Sequence, residues 1–103
     1  MGKGMNPEEL RVLADPVTLS PPLLALWHDA RGDWERAHEA CQRAGSREGD
    51  WVHAYLHRKE GDPGNAAYWY ARAGRPVVPA GKPFADEWAE IAAALTTTSA
   101  GDR

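Results

Sequence analysis

At 103 residues the chain has room for one domain, and its 43% hydrophobic and 26% charged composition excludes both a disordered tract and a membrane-embedded one. Twelve Lys and Arg against fifteen Asp and Glu leave a net charge of −3, with the basic residues scattered. Non-specific nucleic-acid binding, which needs a positive surface to displace counterions from phosphates, is therefore excluded from the expected functions. Eighteen alanines against ten β-branched residues favour helix, because alanine loses least when a helix forms. An all-α fold is expected. The chain has one cysteine, no charged-then-apolar leader and no apolar run near 18 residues, so the expected compartment is the cytoplasm, without membrane contact.

In chain order, Pro7 to Ala14 reads as a short helix with Pro in its first turn and Leu10 and Leu13 facing inward. Ser20-Pro21-Pro22 opens a second helix, with Ser20 as its cap and Leu23, Leu26, Trp27 and Ala30 on one face. Gly32-Asp33 ends that helix and starts the next, whose buried stripe is Trp34, Ala37, Ala40, Cys41 and Ala44. Val52, Tyr55 and Leu56 mark a fourth helix. Gly61-Asp62 repeats the turn, and Ala66, Trp69, Tyr70 and Ala73 form the stripe of a fifth. Arg75 to Pro83 is rich in Pro and reads as a loop. Phe84, Trp88, Ile91 and Leu95 share one side of a last helix over about 83–95, followed by a frayed tail over 96–103.

Displacing the sequence by 29 residues aligns Ala25–Gly45 with Ala54–Gly74, and eight of 21 positions are identical: Ala25/Ala54, His28/His57, Gly32/Gly61, Asp33/Asp62, Ala37/Ala66, Arg43/Arg72, Ala44/Ala73 and Gly45/Gly74. Each unit is expected to be a helix-turn-helix hairpin, repeat 1 over about 20–45 and repeat 2 over about 49–74. The spacing of Asp62, Ala66, Trp69, Tyr70 and Ala73 resembles the second-helix signature of Sel-type repeats, which belong to the tetratricopeptide superfamily. The stretch from His53 to Asp62, with Asn65-Ala66-Ala67-Tyr68-Trp69-Tyr70 behind it, also resembles a group of small microbial proteins. The first resemblance implies a stack of α-hairpins and, with it, an interaction module that meets a protein, a peptide or a second copy of itself.

The polar residues supply an alternative, a small-ligand or transition-metal site. His28 and His57 fill the same slot of the two repeats. His53 lies four residues before His57 and Glu60 three after it, so all three project from one helix face, at the spacing helices use to chelate a metal. Asp29 or Glu60 can complete such a shell. The bland reading is that the histidines border the core and bond to helix ends, with Asp29 and Glu60 as solvated charges. His38 reads as a surface residue, and Arg58-Lys59-Glu60 as a solvated run in which Arg58 can reach a phosphate. Trp51, Tyr68 and Arg72 are expected at the surface as partner contacts. Cys41 lies on a buried stripe and lacks an orienting group or an oxyanion donor. No residue therefore demands a catalytic role.

Overall fold

The computed structural model describes residues 5–101. Six α-helices and one short 3-10 turn account for its regular structure, with no strand among the described residues. They are α1 (Pro7–Val12), the 3-10 turn Pro16–Thr18, α2 (Pro21–Ala30), α3 (Trp34–Ala44), α4 (Arg47–Lys59), α5 (Pro63–Ala73) and α6 (Phe84–Gly101). No helix among them is long and apolar enough to cross a membrane.

Local chemistry explains where the helices begin. Asn6 and Glu9 exchange side-chain and backbone bonds in a capping box at α1. Asp33, Ser46 and Asp62 accept the N–H of Arg36, Gly49 and Asn65 at the starts of α3, α4 and α5. Ser20 occupies the cap position of α2 without a side-chain bond. Pro21 and Pro22 behind it have no N–H to offer. Because Ser46 is the cap, α4 starts at Arg47, two residues before the expected boundary, and Trp51 lies inside the helix. Gly49 is required there by close approach: a Cβ at that position would stand 2.6 Å from the Ala44 Cβ.

The α2–α3 and α4–α5 connections have the same form. Asp33 N donates to His28 O and Asp62 N to His57 O, while Gly32 N donates to Asp29 O and Gly61 N to Arg58 O. Gly32 and Gly61 have φ of 77° and 91°. Nothing lies within 4 Å of a Cβ built on Gly61, so a side chain there meets a backbone penalty alone. Gly61→Val is expected to cost about 1–2 kcal/mol or more, since a left-handed conformation strains any L-residue and a β-branched one most. In a thermal melt each kcal/mol lowers the midpoint of a domain this size by about 4–8 °C. A midpoint unchanged from the parent would contradict the turn assignment.

Helix α4 is the centre of the molecule. Val52 to His57 are buried without interruption, because α2, α3, α5 and α6 all pack against it. Leu10, Ala25, Leu26, Ala37, Ala40, Cys41, Tyr55, Leu56, Trp88 and Ile91 complete the main core. Burial pushes the Cys41 thiol up to about 12, so it behaves as a small hydrophobe. The indoles also tether: Trp27 Nε1 donates to Leu13 O, Trp34 Nε1 to Leu56 O, and Trp88 Nε1 to Leu26 O. The radius of gyration, 12.8 Å, is that of an ordinary compact domain, so the helix pairs close on a shared core.

Two expectations about the ends and edges are corrected. Helix α6 continues to Gly101, past the expected stop at residue 95, and Thr96 is buried with its hydroxyl donating to Ala92 O. That bond lets a β-branched residue turn its polar atom back onto the helix. Residues 102 and 103 of the expected frayed tail lie outside the described residues. Ala30, placed on the inner stripe of α2, is exposed, and Asp29 beside it is buried.

Candidate metal centre

Helix α4 carries His53 and His57 one turn apart, with rings stacked at 4.8 Å and an interplanar angle of 26°. Both are buried, at 4% and 6% exposure. Helix α3 brings in a third imidazole. His38 meets His53 edge-on at 4.5 Å and His57 at 5.3 Å, and its Nε2 lies 2.9 Å from the Nε2 of His53. One ring nitrogen from each of the three lies within 4.8 Å of the others.

Two tryptophans wall the cluster. Trp34, one turn before His38 on α3, stacks on the His38 ring at 4.8 Å and touches His57 edge-on at 5.8 Å. Its bond to Leu56 O fixes that position against α4. Trp69 of α5 lies flat on His53, with centroids 3.9 Å apart and planes 15° from parallel. Glu60 then sets the tautomer of His57: its Oε2 is 2.7 Å from Nδ1, so Nδ1–H donates to the carboxylate and Nε2 keeps its lone pair.

Electrostatics favour lone pairs over protons. Burial, reinforced by His38 and His57, pushes His53 down to about 4. Burial and then His57 lower His38, against the opposing pull of Glu60 and Glu39. At neutral pH both imidazoles are uncharged. Two imidazole nitrogens on one tetrahedral ion, each about 2.0–2.1 Å from it, stand about 3.3 Å apart. The 2.9 Å His38–His53 separation and the 4.8 Å limit on the set bracket that spacing, so small ring rotations convert the cluster into a three-nitrogen face.

The lowered His53 also has a consequence for stability. An unfolded chain protonates this ring below about 6.5 and the folded one only below about 4. Between those values the unfolded state holds the extra proton, so stability is complete above the window and falls as pH drops through it. His38 and His28, both lowered by burial, act in the same sense. Glu87, raised by burial, acts oppositely, so the informative quantity is a difference. In urea titrations of metal-free protein, His53→Gln is expected to flatten the fall in stability between pH 6.5 and 4. An unaltered slope would refute the burial of a neutral imidazole.

The other expected site residues are distributed elsewhere. His28 touches Trp27 edge-on and joins none of the cluster's contacts. Its slot repeats that of His57, yet the helix ahead of α2 is the short α1, which supplies no counterpart of Trp34 and His38. Asp29 is 5% exposed and accepts from Tyr55 Oη at 2.7 Å and Lys59 Nζ at 3.0 Å; it ties α2 to α4 and completes no shell. Arg58 is no solvated phosphate contact, because its guanidinium is buried against Glu87. Trp51 is half-buried under the Arg75 guanidinium, 3.7 Å from the ring centroid. Tyr68 is exposed as expected, and Arg72 pairs with Asp50 at 3.6 Å.

His38 and the two walls escaped the sequence reading. His38 aligns with Ala67 of the second unit, so the internal repeat carries no trace of it. The available signal was Trp34-x3-His38, an aromatic and an imidazole on one face of α3, which gains meaning only once α3 is laid against α4. The chain matches no known protein family, no curated protein and no solved structure, so the argument rests on its own residues.

Proposed function

We propose that the chain binds one transition-metal ion through His38, His53 and His57, on a scaffold of two α-hairpin repeats of the Sel and tetratricopeptide kind. The observation that carries the metal reading is the convergence of three imidazoles from two helices, with ligand nitrogens within 4.8 Å. Neutral imidazoles suit zinc, copper and nickel, and Glu60 on His57 Nδ1 is the outer-shell carboxylate that raises ligand basicity. Three protein ligands leave a coordination position for water or a small exogenous donor. Because His38 belongs to α3 and the others to α4, the ion would fasten one helix pair to the next. The matching turns at Gly32-Asp33 and Gly61-Asp62 support the repeat reading of the scaffold.

Elemental mass spectrometry on untagged protein purified without chelators tests the site. Near one zinc, copper or nickel per chain is expected, with a rise in melting temperature on adding that metal to stripped protein. Protein that emerges metal-free and takes up none of the three in titration overturns the proposal. A second reading, a docking surface for a protein, a peptide or another copy, is favoured by Tyr68, which is 54% exposed beside Arg72. Sedimentation of the parent and Tyr68→Ala separates self-association from a monomer.

A further inference from the structure

A second feature, apart from the histidines, lies where the 75–83 segment crosses α5 and the start of α6. A cleft of about 490 Å³ there is bordered by Tyr70, Val77, Val78, Pro79 and Phe84, with Arg58 as its cationic residue. Its lining is almost wholly apolar. Val77 at the mouth is 62% exposed and Phe84 is 39% exposed, more apolar surface than a loop of this length needs to leave in water.

Arg58 distinguishes this cleft from a packing defect. Its side chain is 8% exposed. Nη1 donates to Glu87, and Nη2 donates to the carbonyls of Pro79 and Lys82. Nε is buried with no hydrogen-bond partner, the single side-chain atom of which this is true among the described residues. A buried guanidinium N–H without an acceptor is costly, and native structures leave few such groups unexplained. The guanidinium plane also rests on Phe84 at 4.6 Å, so it is held in place before any ligand arrives.

We infer that this cleft binds a small apolar carboxylate, whose oxygen accepts the Nε–H of Arg58 and whose hydrocarbon part covers Val77, Val78 and Phe84. An anionic acceptor forms the stronger, charge-assisted bond to a guanidinium, and the two carbonyls on Nη2 bring no charge of their own. The hydrocarbon requirement follows from the lining, which offers few further polar partners. Bound there, the ligand pins the 75–83 segment, whose side-chain attachments to the helices include the Arg58 bonds and the Lys82–Glu90 pair.

The test uses octanoate as probe and 1-octanol as its uncharged counterpart, followed by proton–nitrogen NMR of the full chain, in which arginine Nε–H groups give their own signals. Octanoate is expected to saturate, to shift the Arg58 Nε–H resonance together with the Val77 and Val78 amides, and to bind at least tenfold more tightly than octanol. Val77→Glu, a change at an exposed loop position, should weaken octanoate at least tenfold and leave the melting midpoint in place. Equal binding of the alcohol, octanoate binding that leaves the Arg58 signal unmoved, undiminished binding to Val77→Glu, or no binding of octanoate each overturns the inference.

Discussion

Replacing His38 by alanine is expected to reduce metal uptake from about one ion per chain to background, whereas His28→Ala keeps full stoichiometry. The contrast is sharp because sequence symmetry favours the opposite result: His28 and His57 are equivalent in the repeat, and His38 has no equivalent. Geometry decides otherwise, since the His38 Nε2 is 2.9 Å from that of His53 while His28 borders only Trp27 among the aromatic rings. His38 is also the half-buried member of the three, so its loss removes a ligand with little damage to the core. The stack on Trp34 is forfeited, about 0.5–1.5 kcal/mol. Glu60→Gln should fall between the extremes, weakening the metal by about 10–100-fold through its hold on His57. The metal-to-protein ratio after gel filtration and a zinc competition titration measure all three. If His28→Ala lost the ion and His38→Ala retained it, the cluster would be a packing feature.

Within a single helix the sequence was informative. Asp33, Asp62 and the glycines beside them mark the turns, because capping and a left-handed φ are demands on individual residues. The His53, His57 and Glu60 face was legible for the same reason: 3.6 residues per turn place them together whatever surrounds the helix. Contacts between helices were not legible. His38 and Trp34 enter the site only through the packing of α3 on α4, and Trp69, read as core, is half-buried because it stacks on His53. Asp29 and Arg58 sit in charged stretches that read as solvated. Each is buried because one particular partner reaches it, Tyr55 with Lys59 in the first case and Glu87 in the second. Periodicity assigns a face to a residue, and a buried charge depends on which residue faces it.

Arg58→Leu is expected to be the most damaging single change, at about 3–5 kcal/mol, because it leaves a carboxylate buried without its cation. Glu87 is 2% exposed, receives Nη1 of Arg58 at 2.8 Å and accepts the Tyr70 hydroxyl, so the pair joins α4, α5 and α6. Burial already holds the Glu87 carboxyl above its ordinary range despite the hydrogen bond from Tyr70 and the charge of Arg58. Without Arg58 it rises further. A group whose folded pKa exceeds its unfolded value favours folding below that value and opposes it as pH climbs, so the damage should be smaller near pH 4 than at pH 7. Arg58→Leu combined with Glu87→Leu removes both charges and should recover much of the loss, leaving about 1–3 kcal/mol for the unpaired Tyr70 hydroxyl and the Pro79 and Lys82 carbonyls. Urea denaturation of the three proteins at pH 4 and pH 7 separates these contributions. A double variant no more stable than the single one, with no dependence on pH, would mean that Arg58 acts by anchoring the 75–83 segment, and that the charge on Glu87 is of little consequence to the fold.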